Sequence, residues 1–259
     1  MSFGAWFFTG DLMRRRFFVD KFDAGRASLH GEAAQHLGRV LRAEPGQLYE
    51  LSDGAEVWLA RVEKVSGARG GAIEFALTEK IPAQDSPLRI KLLLSIVKFD
   101  RMEWCLEKAT ELGVTEIVPL AAARTEKALV QAAAKRAQRW EKILLESAQQ
   151  SRRLRPSILA AIQKTDSAFA YASENLKIIF SESADAPPLH DIFHAASAQE
   201  ICIAIGPEGG WTNAEFSAAA KNGFRETSLG REILRTETAV IAALAIARYA
   251  LGKQNGGNS

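Results

Sequence analysis

From Leu88 to Leu251 the chain alternates short apolar runs with stretches of helical periodicity, and this constrains the fold more than any other feature. Ile90–Val97 is a near-continuous apolar run. A strand of that kind is buried on both faces, which places it in a parallel sheet with helices on each side. Further strands are expected at Glu116–Leu120, Leu176–Ser181, Glu200–Ile205 and Glu226–Leu229. Helices are expected over about Ala132–Ser151, Ser167–Glu174 and Asn213–Asn222. Asp100 and Glu103 have the spacing of a capping box for a helix that Gly113 ends. Thr212 and Glu215 repeat that spacing before a helix that Gly223 ends. The last helix, Glu237–Leu251, is apolar nearly all round. It is expected to be buried, inside the domain or against a second subunit.

The chain before Leu88 has a different period. Short strands are expected at Phe17–Val19, Gln47–Leu51, Val57–Val65 and Ala72–Thr78, with a helix at Glu32–Leu41. Ser52-Asp53-Gly54-Ala55 is a hairpin signal, and Gly67–Gly71 is a turn. This pattern suggests a small, mainly β barrel. Pro82–Pro87 interrupts both periods and reads as a linker, giving two domains, 14–84 and 85–253. The opening MSFGAWFFTGDLM has no basic start, and Gly10-Asp11 breaks its apolar stretch. It reads as a dispensable extension or an upstream start, not a signal peptide.

Several classes are excluded at this stage. With 47% hydrophobic and 25% charged residues, the chain is neither disordered nor a collagen-like repeat. Its two cysteines, Cys105 and Cys202, lie in apolar contexts and read as buried, reduced thiols, as in a cytoplasmic protein. No apolar run reaches the roughly 18 residues that span a membrane. There is no P-loop motif, no GxGxxG at a strand-to-helix turn and no GxSxG elbow. His190 and His194 are four apart, but they lack the zincin glutamate and a third ligand, so no metal role is expected.

One feature stands apart. The strand Ile203-Ala204-Ile205 runs into Gly206-Pro207-Glu208-Gly209-Gly210-Trp211, directly before a capped helix. Three glycines within five residues let backbone approach a ligand closely or adopt positive φ. Such a loop lies at the carboxyl end of a strand, where open α/β folds bind ligands. The next strand ends in Leu229-Gly230, and Arg231-Glu232-Ile233-Leu234-Arg235-Thr236-Glu237-Thr238 follows. Two such loops suit a flat apolar ring held by backbone hydrogen bonds, with charge for an anionic group.

GPEGGWTNAEF followed by LGREILRTETAVIAALA closely resembles the SPOUT methyltransferases. The resemblance is closest to the bacterial ribosomal RNA small subunit methyltransferase E family, which methylates N3 of a uridine in 16S rRNA. RRFFVD, HLGRVLRAEPG, Lys98 with MEWCLEKATELGVTEIVPL, and RWEKILLESAQQSRRLRP extend it over Arg14–Leu251. The resemblance implies an α/β fold with a deep trefoil knot in the C-terminal domain, preceded by a PUA-like RNA-binding barrel. It implies a homodimer that binds S-adenosylmethionine, with the small ribosomal subunit or its 16S rRNA as partner. Carried onto this chain, the cofactor residues are Gly206, Pro207, Glu208, Gly209 and Gly210 in the first loop. Leu229, Gly230, Ile233, Leu234 and Thr238 match the second, and Ser181 gives a third wall. Arg235 matches the arginine nearest the chemistry. One departure is visible: the family often has Ala-Glu-Gln-Ser where this chain has Ala148-Gln149-Gln150-Ser151. Gln149 stands at the position of that glutamate and carries no carboxylate.

The implied chemistry sets requirements of its own. Methyl transfer from a sulfonium is an in-line displacement, so alignment supplies much of the effect. Uracil N3 must lose a proton, and a fixed arginine can stabilise the resulting anion. Arg235 leads, with Arg124 and Arg152 behind it. An arginine is a poor base. Glu208 and Glu237 are candidates for that role, although capping or backbone contacts suit each better. Arg235 could instead pair with Glu232 or Glu237. The formal charge of +2 hides a regional split: residues 124–155 carry nine basic and three acidic side chains, and residues 156–208 carry two and seven. The basic stretch, with Arg124, Arg152 and Arg153, can neutralise phosphates, and Arg15, Arg16, Arg39 and Arg42 could extend that surface. The competing reading is the solvated face of a long helix. An inactive RNA-binding protein of the same fold and a SPOUT enzyme acting on tRNA stand as alternatives.

Overall fold

The computed structural model describes residues 15–66, 71–83, 86–183, 185–194 and 198–252. The opening residues, most of the Gly67–Gly71 turn and the middle of Pro82–Pro87 lie outside that description. The chain divides into two compact units. One comprises residues 1–84 with 152–155, and the other comprises 85–151 with 156–259.

The first unit is a five-stranded sheet. Its strands are β1 (Arg16–Phe18), β2 (Arg26–His30), β3 (Leu48–Ser52), β4 (Val57–Ser66) and β5 (Ala72–Ile81), in the order β1-β3-β4-β5-β2. β1 pairs parallel with β3, and the other pairs are antiparallel. The described pairings leave β1 and β2 at the two edges, so the sheet is a half-barrel. Asp53 makes the β3–β4 hairpin by accepting hydrogen bonds from the N–H groups of Ala55 (2.9 Å) and Glu56 (2.8 Å). β2 alternates exposed and buried residues, with Ala27 and Leu29 inward. Only Leu29 is strongly apolar, which is why periodicity alone passes this strand over. The expected helix is α1 (Gly31–Gln35) running into a π-helical turn, His36–Val40. Leu37 from that turn packs with Phe17, Leu51, Ile73 and Phe75 in the core.

Arg16 belongs to this core rather than to an RNA surface, which corrects the sequence expectation. Its Nε and Nη2 donate to Glu50 Oε2 at 3.1 and 2.8 Å, and its Nη1 donates to the carbonyl of Arg152 at 2.6 Å. Both side chains of the pair are more than nine-tenths buried. Ser52 Oγ also donates to the Leu154 carbonyl at 2.7 Å, so 152–155 complete the unit through main-chain acceptors.

The second unit is a parallel sheet. Its strands are β6 (Arg89–Ser95), β7 (Glu116–Ala121), β8 (Ile158–Leu159), β9 (Gln163–Lys164), β10 (Leu176–Phe180), β11 (Glu200–Ile205) and β12 (Arg225–Thr227). The order is β12-β10-β11-β6-β7-β8, with β9 also on β7, and every described pairing is parallel. Leu92 and Leu94 point to one face and Leu93 to the other. The intervening helices are α2 (Phe99–Glu111), α3 (Lys127–Ala133), α4 (Ala137–Gln150), α5 (Thr165–Tyr171), α6 (Leu189–His194), α7 (Asn213–Lys221) and α8 (Thr236–Leu251). Met102, Leu144 and Leu244 of α2, α4 and α8 share the first face, while Phe169 and Ala219 of α5 and α7 share the second. Both cysteines are buried free thiols, and burial, with a smaller contribution from Glu237, pushes Cys105 up to about 12.

Two local expectations are corrected, and a third is met on one face only within this chain. α2 starts after Lys98, and Asp100 lies inside its first turn instead of capping it. Glu103 is committed to Arg139 through two bonds of 2.7 Å. The long helix expected over Ala132–Ser151 begins earlier, as α3, and is interrupted by a 3-10 turn at Ala134–Arg136 before α4. There Arg136 stacks on Phe99, its guanidinium carbon 4.7 Å from the ring centre. α8 buries only one face, through Val240, Ala243, Leu244 and Ala247, and leaves Ile246 40% and Tyr249 93% exposed. The Thr212/Glu215 capping box of α7 is present as expected.

Removing one partner of a buried pair strands the other charge. Glu50→Ala is expected to destabilise the first unit by about 3–5 kcal/mol, while Arg16→Met with Glu50→Leu recovers most of the loss. Urea unfolding of the variants checks this.

Candidate active site

The carboxyl ends of β10 and β11 and the loop after β12 surround a cavity of about 470 Å³. β11 lies between β10 and β6, so the loop that leaves it is flanked by strands on both sides. That loop is Gly206–Trp211. Gly210 has φ +68°, and its N–H bonds the Pro207 carbonyl at 2.8 Å, closing a tight turn. Trp211 is buried beneath the loop, with its Nε1 donating to the Phe180 carbonyl at 3.1 Å. A Cβ on Gly206 would lie 3.1 Å from the Trp211 indole, so no side chain fits there without displacing the ring. Arg124 lies along the other side and donates from Nη1 to the Gly209 carbonyl at 2.8 Å. A Cβ on Gly209 would lie 3.3 Å from Arg124 Cβ. Both glycines therefore sit where the backbone is packed from below.

The second wall is built differently. Residues 229–234 follow β12 in irregular conformation, with Gly230 at φ +141°. Among the described residues, their main-chain N–H and C=O groups make no hydrogen bond. They face a cavity lined by Leu229, Ile233 and Leu234, with Ile205 and Phe180 across from them. Unsaturated backbone beside apolar side chains fits a heteroaromatic ring that takes its hydrogen bonds from the main chain. Arg235 closes the loop as the N-cap residue of α8 and lines the cavity. No described carboxylate pairs with it, so neither the Glu232 nor the Glu237 pairing is realised. Glu237 Oε1 lies instead 4.0 Å from Arg101 Nε.

Most of the expected cofactor residues come together here. The first loop, Ser181, Leu229, Gly230, Ile233, Leu234 and Arg235 all line the cavity. Thr238 does not: it is exposed, and Thr236 and Ala239 take the lining positions. Helical geometry explains the miss, since side chains two apart point about 200° from one another on an α-helix. Arg124, expected on the RNA surface, also borders the cavity. Arg101 was passed over in sequence, although it lies in the first turn after β6, beside the carboxyl ends where ligands bind. His190 is exposed and pairs with Asp191 at 2.8 Å, and the side chain of His194 lies outside the description. Among the described residues, no cluster of three His, Cys, Asp or Glu could hold a metal.

The RNA methyltransferase domain model matches residues 84–248. Ribosomal RNA small subunit methyltransferase E from Synechocystis sp. is 34% identical over 215 residues, covering 81% of this chain and 68% of that protein. The chain belongs to the ribosomal RNA small subunit methyltransferase E family. As a member, it is an RNA methyltransferase. Two solved structures share its fold. A methyltransferase from Legionella pneumophila in complex with SAM has a TM-score of 0.83 at 31% identity, covering 93% of this chain and 99% of that one. The family protein from Neisseria gonorrhoeae bound to S-adenosyl methionine has a TM-score of 0.82 at 34% identity, covering 92% and 98%.

Gly206→Ala is expected to cost about 1–3 kcal/mol by overpacking against the pinned indole. A lower melting temperature, together with a shifted Trp211 indole N–H signal in NMR, would report it.

Proposed function

We propose that the chain transfers a methyl group from S-adenosylmethionine to N3 of a uridine in 16S rRNA. The observation that carries this reading is Arg235, a guanidinium with no carboxylate partner among the described residues, set in the cavity between a glycine loop and a wall of unpaired backbone. The relatives named for small-subunit rRNA favour it over a tRNA enzyme. S-adenosylmethionine, when bound, supplies an electrophilic methyl group. The chain's own residues do the rest. Gly206 and Gly209 let backbone approach the ligand, and Leu229, Ile233 and Leu234 exclude water from its apolar part. Free main-chain groups of 229–234 orient it. Arg235 holds positive charge where the uracil ring becomes anionic as N3 loses its proton.

The same proposal covers architecture and partners. The half-barrel sheet serves as a PUA-like RNA-binding domain over 14–84, with 85–253 as the methyltransferase domain. A trefoil knot in the second unit is part of the proposal, and there the segment 186–189 runs parallel beside residues 227–228. Thr227 Oγ1 donates to the Pro187 carbonyl at 2.7 Å, and the Ser228 N–H bonds the same carbonyl at 3.0 Å. A homodimer is supported by the exposed apolar side chains Trp104, Ile246 and Tyr249 on α2 and α8. On the first unit Arg15, Arg39 and Arg42 are exposed cations placed to meet phosphate, while Arg152 and Arg153 also make contacts within the protein. The buried free thiols suit the cytoplasm, where rRNA is made and modified. No described helix is long and apolar enough to cross a membrane.

Incubation with labelled S-adenosylmethionine and 30S subunits or naked 16S rRNA lacking the modification is expected to yield 3-methyluridine in nucleoside mass spectrometry. Arg235→Ala should lose most turnover, by about 10²-fold, while still binding cofactor. Label in neither substrate would sink the enzyme reading, and wild-type turnover in the variant would remove the role of Arg235. Arg15→Glu with Arg39→Glu should weaken RNA binding and reduce the salt slope by about 1 per lost phosphate contact, read in a salt titration.

A further inference from the structure

Among the described cavity-lining residues, Arg101 alone forms ion pairs with carboxylates from two other elements. It rises from the first turn of α2, after the carboxyl end of β6. Its Nη1 donates to Glu208 Oε1 in the glycine loop, and its Nε faces Glu237 Oε1 in the first turn of α8. The second oxygen of Glu237, Oε2, is buried and has no hydrogen-bond partner. Glu237 stands two residues beyond Arg235 and has spare acceptor capacity. Glu208 lines the same cavity as Arg235. Without Arg101, neither carboxylate has an ion-pair partner among the described residues.

We infer that Arg101 is a positioning residue that occupies Glu208 and Glu237, leaving Arg235 unpaired in the cavity while tying the glycine loop to the starts of α2 and α8. The inference rests on the role given to Arg235 above. An arginine suits this task because its planar fork presents several donors in fixed directions, so one side chain serves two carboxylates. A lysine is a single point charge and serves them less well. The local charge explains why the task matters. The cavity also holds Arg124, whose Nη1 is engaged by the Gly209 carbonyl. With Arg101 gone, Glu208 and Glu237 lose their ion-pair partner, and either carboxylate turning toward Arg235 opposes its field where the ring anion develops. The glycine loop also loses its side-chain tie to α2, which acts on cofactor binding rather than on the chemical step. The two effects therefore separate in the kinetics.

The experiment measures kcat and the KM for S-adenosylmethionine on 16S rRNA or 30S subunits. Wild-type activity comes first: an inactive wild type fails the proposed function and is a different result from any Arg101 outcome. With an active wild type, Arg101→Met is expected to lower kcat at least about tenfold, a fraction of the loss seen when a fixed transition-state donor is removed. KM should rise as well, and Arg101→Lys should fall between. Adding Glu237→Gln to Arg101→Met removes a competing carboxylate and should restore much of kcat while KM stays raised. A merely structural arginine would not give that selective recovery. Wild-type kcat and KM in Arg101→Met, or a double variant no faster than the single one, overturns the proposal. If Arg101→Met does not fold, Arg101→Lys with and without Glu237→Gln carries the same comparison, and no gain from the second substitution overturns it.

Discussion

One buried carboxylate holds the cavity face of the methyltransferase unit together. Glu215 is 4% exposed. Its Oε2 accepts from the Thr212 N–H at 2.8 Å and from Thr212 Oγ1 at 2.9 Å. Its Oε1 accepts from the Ala123 N–H at 2.9 Å. Burying a carboxylate is costly unless its oxygens are paired, and charge-assisted bonds to backbone donors offset that cost. The segment leaving β11 is thereby tied to the turn after β7, and neither can drift without stranding a charge. Trp211 adds a second anchor below Gly206. Across the cavity, residues 229–234 carry no main-chain hydrogen bonds among the described residues. The first wall is fixed by side-chain anchors, and the second leaves its main-chain groups open to the cavity.

The arginines are sorted by the same logic. Arg16 is consumed by Glu50 and the Arg152 carbonyl, Arg139 by Glu103, and Arg248 by the Leu112 carbonyl at 2.8 Å. A Cβ on Gly113 would collide with the Arg248 guanidinium, so the turn ending α2 is shaped around that side chain. Arg16 and Arg248 build structure, whereas Arg139 keeps 61% of its side chain exposed beside Glu103. Arg15, Arg39 and Arg235 remain without carboxylate partners among the described residues. A basic count over a stretch of sequence cannot tell these groups apart, because the partner of Arg16 lies 34 residues away and that of Arg139 lies 36 away.

Legibility followed the range of the interactions. The Thr212/Glu215 box was readable because both halves lie within four residues, whereas the bond from Glu215 to Ala123 spans 92 and left no local trace. The parallel sheet was readable because strands buried on both faces lose their polar alternation. β8 and β9 were not, since two-residue strands have no period. The Asp100/Glu103 spacing was correct in form and empty in fact, since long-range partners outbid a local cap. The glycine loop was visible because close packing against Trp211 and Arg124 demands residues without Cβ. Arg101 was invisible because a single arginine in a helix has no signature until its two carboxylates are brought to it.

The two helix starts at the cavity show how the electrostatics are divided. α7 begins with a complete capping box, so the N–H groups of Thr212 and Glu215 are satisfied and the Glu215 charge offsets the helix end. α8 begins at Arg235 with no side-chain cap. An uncapped helix start carries positive potential outward, and here it adds to the charge of Arg235 instead of opposing it. Glu237, in the first turn of α8, would cancel part of that field if it turned toward Arg235. Its Oε1 instead faces Arg101 of α2, 4.0 Å from Nε.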